Sequence, residues 1–317
     1  ETVEAAREEN AETMERLRES IDPLALANRG KMLGGSAAAP DSRRGAEHAE
    51  ESAEQVRIAA LTPIGHGGDA SDQPKDARPS TVERPRTPEE VAELVRAHAR
   101  VVVRGGGTKP RLSRTPPGAV CIDLSALSGV IRYDPDEFTF TARAGTPLVE
   151  VMEMLSRHDQ YLPFDPPLAE AGATLGGTVA AGLSGSGRFR YGGVRDFIIG
   201  VRFVDGRGEA VRGGGAVVKN AAGFDFPKLM VGALGRLGVL TEITFKVFPA
   251  PLAMASARAD FETLAEALEA MADLAGSQLD LDAIDLVPGG EAASLWLRVA
   301  GPERILPSRL ARIRDML

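Results

Sequence analysis

Two glycine-rich runs are the parts of this chain best suited to hold a charged ligand: Arg104-Gly105-Gly106-Gly107-Thr108-Lys109-Pro110, and Thr174-Leu175-Gly176-Gly177-Thr178-Val179-Ala180-Ala181-Gly182. Consecutive backbone N–H groups with no side chain in front of them form a concave nest for an anion such as a diphosphate. Either run alone could be a tight turn between strands. Together they favour a ligand, and 18 of the 35 glycines fall between Gly172 and Gly238, as expected of backbone packed against a flat molecule. The familiar nucleotide signatures are absent. There is no G-x-x-x-x-G-K-[ST] run, and Gly185-Ser186-Gly187 is followed three residues later by Arg190 where a dinucleotide fingerprint needs glycine.

The elements that would position these loops are legible in the pattern of residues. Thr87-Pro88-Glu89-Glu90 predicts a capped helix start with proline at the first helical position, and Val91, Leu94 and Val95 supply its apolar face to about Ala99. Val101 to Val103 predicts a short strand delivering the first loop. Further strands are expected at Val120–Leu124 and Phe138–Arg143, followed by a helix capped at Thr146-Pro147 with Leu148, Val151, Met152 and Leu155 inward. Phe197–Val204, the turn Asp205-Gly206-Arg207-Gly208 and Glu209–Arg212 read as a hairpin, and Val239–Phe248 as a final strand. About 65 residues follow Pro251, with a helix expected over Phe261–Ala275, Leu264, Leu268 and Met271 inward, and a strand over Ser294–Val299. Upstream, residues 1–33 read as a helix and tail, and 34–80 as a flexible linker too poor in large apolar residues to form a core.

At 317 residues the chain can bury a substantial core without covalent staples. Its one cysteine, Cys121, excludes an intrachain disulfide, and no Cys/His cluster has metal spacing, so no metal is expected and a reducing compartment fits best. A net charge of −8 argues against nucleic acid as a partner, and no stretch approaches the roughly 20 apolar residues of a membrane span. The expectation is a soluble, cytoplasmic protein, at most peripheral to the inner membrane.

Five blocks in order carry a family resemblance: Val101-Val102-Val103-Arg104-Gly105-Gly106-Gly107-Thr108-Lys109; Phe164-Asp165-Pro166-Pro167; Thr174-Leu175-Gly176-Gly177; Tyr191-Gly192-Gly193-Val194-Arg195-Asp196; and Gly238-Val239-Leu240-Thr241-Glu242-Ile243. Over about Val82–Pro251 the chain resembles the FAD-binding domain of the vanillyl-alcohol oxidase/PCMH superfamily. Val218-Lys219-Asn220-Ala221-Ala222-Gly223-Phe224-Asp225 and Leu229 to Gly235 resemble most closely the FAD-binding subunits of bacterial glycolate oxidases. The resemblance implies an α+β fold, a PCMH-type FAD-binding domain of two α/β subdomains over 81–251 with a short α+β cap at 252–317, as if truncated. It implies that Arg104, Gly105, Gly106, Gly107, Thr108 and Lys109 hold the pyrophosphate. Asp165, Pro166 and Pro167 with Thr174, Leu175, Gly176, Gly177, Thr178 and Val179 would line the flavin and its ribityl chain. Gly192, Arg195 and Asp196 would close the site, and Val239, Leu240 and Thr241 would lie near the adenine or the ring. Relatives with covalent flavin carry histidine in the first loop where this chain has Thr108, so the resemblance implies non-covalent FAD. Ile21-Asp22-Pro23 to Met32 resembles the tail of the large catalytic subunit of the same superfamily, placed ahead of the FAD domain; a fusion remnant, a boundary artefact and an unrelated helix and turn are the open readings.

Oxidising an α-hydroxy acid needs a base for the hydroxyl proton, and histidine is the commonest near neutral pH. His48 and His66 fall in the expected linker, while His98 and His158 fall near helix ends as surface residues, so no catalytic residue is assigned. Arg195-Asp196 reads as structural, its neighbours pointing to opposite faces of a strand start. With a short cap and no base, the expectation is a subunit that works beside a sibling catalytic flavoprotein subunit and an iron–sulfur subunit on glycolate or a similar small 2-hydroxy acid. The alternatives are a self-sufficient D-lactate-type dehydrogenase and a non-catalytic assembly protein.

Overall fold

The computed structural model describes residues 79–112, 115–215 and 224–317. The expected helix at 1–33, nearly all of the expected linker and the Val218–Gly223 block lie outside them.

The first elements are β1 (Val82–Glu83), α1 (Pro88–Ala97), β2 (Val101–Arg104) and β3 (Val120–Asp123). The three strands form a small parallel sheet in the order β1-β3-β2. The Thr87 hydroxyl accepts from the Glu90 amide at 3.2 Å, Pro88 stands in the first turn, and Val91, Ala92 and Val95 are buried, so the capped amphipathic helix forms as its sequence dictates.

The chain continues through β4 (Val130–Asp134), β5 (Thr139–Arg143), α2 (Leu148–Ser156), β6 (Gln160–Tyr161), α3 (Leu175–Ala181), α4 (Arg188–Tyr191) and α5 (Val194–Phe197). It then forms β7 (Ile198–Val204), β8 (Ala210–Gly214), α6 (Phe226–Met230), β9 (Val239–Lys246) and β10 (Phe248–Pro249). Five strands make an antiparallel sheet in the order β4-β5-β9-β7-β8. β9 is central and buried over most of its length. One core, containing Phe140, Phe164, Phe203, Phe226 and Phe245, joins this sheet to α1 and β3.

Four local expectations are corrected. Met152 is 42% exposed, because the buried stripe of α2 is Leu148, Val151 and Leu155. Thr146 does not cap α2; its hydroxyl is buried and bonds Arg143 O (2.7 Å) and the Gly129 amide (3.0 Å). Phe197 closes α5 instead of opening a strand. The last strand breaks at Val247, and β10 pairs with β6 in a separate ladder.

The remaining residues form β11 (Ala253–Phe261), α7 (Leu264–Gly276), β12 (Ala283–Gly289), β13 (Ala292–Gly301) and α8 (Leu306–Arg314), an antiparallel sheet β11-β13-β12 with a core of its own around Leu274, Leu295, Leu297 and Ile313. The expected inward face of α7 is turned. Leu264 and Leu268 are 38% and 49% exposed, and Ala267 and Leu274 are buried, because small residues let the helix approach the sheet. The helix begins at a complete capping box, Thr263 accepting from the Glu266 amide and Glu266 from the Thr263 amide, both at 3.2 Å. Thr263→Ala is expected to destabilise the protein by about 1 kcal/mol in chemical denaturation.

Candidate functional site

The two glycine loops meet. A Cβ built on Gly105 would lie 2.2 Å from Thr174 Oγ1, and one on Gly106 would lie 1.8 Å from Gly172 O. Both contacts are shorter than any real Cβ tolerates, so the absence of side chains is what lets the loop after β2 rest on the loop before α3.

Their amides differ in use. Among the described residues no group accepts from the N–H of Gly105, Gly106, Gly107 or Thr108, and Gly107 takes the left-handed conformation at φ +66°. That is an open nest. In the second loop the amides are engaged: Leu175 N donates to Thr146 O, Gly176 N to Ala144 O, Gly177 N to Thr174 Oγ1 and Thr178 N to Thr174 O. The expectation that both loops offer free amides is therefore corrected for the second, whose N–H groups anchor α3 to the end of β5.

Side chains complete the first loop. Arg104 donates to Asp123 Oδ2 at 2.8 Å, and that hydrogen bond raises the guanidinium's pKa further. Asp123 also accepts from the Ser125 amide and pairs with Arg84; burial works to raise its pKa, and the bonds from Arg104 and Ser125 overcome this and hold it low. Lys109 pairs with no carboxylate among the described residues. It donates to Thr108 Oγ1 at 3.0 Å, and burial pulls its pKa below the ordinary lysine value. The Thr178 hydroxyl, on α3, is buried and finds no partner among the described residues.

The other expected site residues fall into two groups. Asp165 sits at φ +46°, and its Oδ2 accepts from the Gly187 amide (2.8 Å) and from Arg298 of β13 (2.6 Å). Pro166 beside it is buried, Pro167 half-buried. Gly192 takes φ +88°, and Asp196 accepts from the Gly193 amide at 2.8 Å while Arg195 donates to Lys228 O at 3.2 Å. Arg195 and Asp196 share one helical turn, correcting the strand start, and both have structural bonds. Val239, Leu240 and Thr241 are buried in β9, Val239 and Leu240 in the core; the Thr241 hydroxyl donates to Arg202 O and its carbonyl accepts from Ala144 N. Val179 and Leu175 are core residues as well.

Arg298 is a residue that sequence reasoning missed. It joins Asp165 to Asp282, whose second oxygen accepts from Tyr191 at 2.7 Å. Burial, then the bonds to Tyr161 and Asp282, drive the Tyr191 phenol far above its ordinary pKa, so it stays a donor. Arg190 of α4 and Arg309 of α8 both pair with Asp280, and the bond from Arg190 holds that carboxyl below the usual range. No signal in the sequence flagged Arg298, Asp280 or Asp282, and Arg298 reaches Asp165 from 133 positions away. His158 is exposed and edge-on to Tyr133, and His98 follows α1. Among the described residues no group of acidic, Cys or His side chains could hold a metal, and no helix is long and apolar enough to cross a membrane.

The loop geometry fits the diphosphate of a dinucleotide. Residues 79–214 match the family described as FAD binding domain. The chain is 40% identical over 215 residues to the glycolate oxidase subunit GlcE of Escherichia coli (strain K12), covering 68% of this chain and 60% of that protein. It is 30% identical over 214 residues to the mitochondrial D-lactate dehydrogenase [cytochrome] of Arabidopsis thaliana, covering 66% of this chain and 37% of the relative. The chain thus spans 60% or less of the length of these two relatives. Among solved structures, an alkyldihydroxyacetonephosphate synthase superposes with a TM-score of 0.62 at 22% identity, over 74% of this chain and 49% of that one, a likeness of fold. The α+β fold and this match give the chain an FAD-binding domain of the PCMH type over residues 79–214, and its cofactor is FAD.

Proposed function

We propose that the chain is the FAD-carrying subunit of a glycolate oxidase type complex, supporting oxidation of glycolate or a similar 2-hydroxy acid to the 2-oxo acid. The reading rests on one observation: the loop Gly105–Thr108 keeps its amides open beside Lys109 and is held in place by the second glycine loop. Gly105, Gly106, Gly107 and Thr108 would bind the pyrophosphate through N–H groups, with Lys109 as the neighbouring cation and Arg104, fixed by Asp123, at the loop's entrance. The buried Thr178 hydroxyl is free to bond a ribityl or ring atom, alongside Thr174 to Val179 and Asp165 to Pro167. Gly192 to Asp196 and Val239 to Thr241 would support the site as backbone and core. Bound FAD would supply the oxidant for the hydroxy acid; no side chain at the first loop can form a covalent link through histidine, since Thr108 stands there.

The described loops contain no histidine, and Asp165 and Asp196 are both committed to structural bonds, which supports a division of labour with a sibling catalytic flavoprotein subunit. An iron–sulfur subunit would carry the electrons away, and association with a membrane would be peripheral. The test is direct. Acid precipitation of the purified chain is expected to release its flavin into the supernatant, and glycolate-dependent dye reduction is expected only after partner subunits are added. Full activity of the chain alone would overturn the division of labour, and a protein that cannot be loaded with FAD would overturn the reading.

A further inference from the structure

The segment from Asp165 to Thr174 links two places described above. At its far end the Gly172 carbonyl and the Thr174 hydroxyl are the groups on which Gly106 and Gly105 rest, so the open amides of the first loop keep their position only while this segment keeps its own. At its near end Asp165 Oδ2 accepts from the Gly187 amide and from Arg298 of β13. Through one side chain, β13 thus reaches the segment that supports the nest.

The backbone of this segment is strained. Asp165 takes φ +46° and Leu168 φ +65°, both in the left-handed region that residues other than glycine rarely adopt. Asp165 also precedes Pro166, and the residue before a proline favours extended backbone. Conformations of this kind last only where surrounding bonds over-determine them. In the far half, Leu168 O accepts from the amides of Ala171 (3.2 Å) and Ala173 (3.0 Å), and Ala173 O accepts from the first amide of α2, Leu148 N, at 2.9 Å. The near half is held by the Asp165 amide, which donates to Leu162 O at 3.2 Å, and by the Asp165 carboxylate. Arg298 is itself fixed: its Nε donates to Asp282 Oδ2 at 2.8 Å, and the other oxygen of Asp282 accepts from Tyr191. Two nitrogens of one planar guanidinium therefore bridge two carboxylates, an arrangement a single ammonium cannot reproduce.

We infer that Asp165 and Arg298 are positioning residues for the cofactor site: they hold the near end of the 165–174 segment in its strained conformation and so keep Gly172 and Thr174 against the diphosphate loop. Neither has to touch the cofactor. The inference rests on the placement of the diphosphate at Gly105–Thr108 proposed above. A loop ordered before its ligand arrives binds that ligand more tightly, so loosening the segment weakens FAD.

The test is the FAD affinity of the full chain stripped of flavin, measured by equilibrium dialysis at a temperature where every variant is folded. Asp165→Ala is expected to weaken FAD about tenfold or more, and Asp165→Asn clearly less, since asparagine tolerates the left-handed region and its side-chain oxygen still accepts from the Gly187 amide. Arg298→Lys is expected to weaken FAD about fivefold or more, and adding it to Asp165→Ala is expected to change little, because both break the same link. Thr263→Ala, which loosens α7 without touching the link, is expected to leave FAD affinity unchanged. Affinity that simply follows melting temperature across these variants, losses that add in the double variant, or parent-like affinity in Asp165→Ala would each overturn the inference. Flavin retained by Gly106→Val would instead overturn the placement of the diphosphate; flavin lost there but held normally by Asp165→Ala sinks the positioning role alone.

Discussion

Replacing Gly106 with valine is expected to strip the chain of flavin, from about one FAD per chain to about a tenth or less, as read from the ratio of visible to ultraviolet absorbance. The cause is steric. The Gly106 Cβ position lies 1.8 Å from Gly172 O, whereas real Cβ contacts essentially never fall below 3.0 Å, so the loops must part by more than 1 Å. Close-packed backbone has no slack to absorb that shift. Parting the loops displaces the amides of Gly105 to Thr108, on which the proposed pyrophosphate contacts depend. Lys109→Met separates ligand loss from misfolding, because the ammonium bonds only the neighbouring Thr108 hydroxyl among the described residues. That variant is expected to fold normally and to hold FAD about tenfold more weakly. Unchanged flavin content in Gly106→Val would mean that the first loop is not where the dinucleotide lies.

The second large effect is expected at Arg298. Its side chain is 21% exposed and pairs with Asp282, whose side chain is 1% exposed. Removing one partner of a buried pair leaves an uncompensated charge, so Arg298→Met is expected to cost about 3–5 kcal/mol. The bond to Asp165, and through it the hold on Gly187, is lost as well. Hydrogen exchange is expected to rise first in β12 and in the Ser184–Tyr191 segment. The double variant Arg298→Met/Asp282→Asn removes the stranded charge and is expected to recover part of the loss. If the single variant melts like the parent, the pair carries no such load.

What could be read in the sequence followed local rules. Thr87 with Pro88, the β-branched run before Arg104, and the Asp205–Gly208 turn each declare their structure within a few residues, and the structure has them there. The glycine runs made a ligand-holding backbone legible, because backbone with no room for a Cβ leaves a trace in composition; FAD itself was what the family resemblance of the ordered blocks implied. Three things were not legible. β11 is built of alanines alternating with Met254, Ser256, Arg258 and Asp260; the period of two is present, but alanine has low strand propensity and hid it. The face of α7 was partly misjudged because Leu264 and Leu268 point outward while Ala267 and Leu274 are buried; Met271, also expected inward, does pack against the core. The Asp165–Arg298–Asp282–Tyr191 network depends on residues brought together by the tertiary fold, and nothing in the spacing of four separated polar residues announces a shared site. The second loop shows a further limit: a glycine run reports where backbone approaches something, but not whether that something is a phosphate or the carbonyl of Ala144.

The central place of β9 governs how this chain can be made. β5 can pair with β4 and β7 with β8 early, yet the two halves of the sheet are joined only when Val239–Lys246 has emerged, with Thr139 pairing across to Lys246. A fragment ending at residue 214, where the family match stops, would leave two long strand edges unpaired and ready to recruit other chains. The β11-to-α8 unit, by contrast, is contiguous from Ala253 to Arg314 and draws its core from its own elements, so it can condense as soon as it leaves the ribosome. Synthesis of the amino-terminal half therefore passes through a stretch with an incomplete sheet, where slow translation prolongs the danger of self-association and a chaperone has the most to protect.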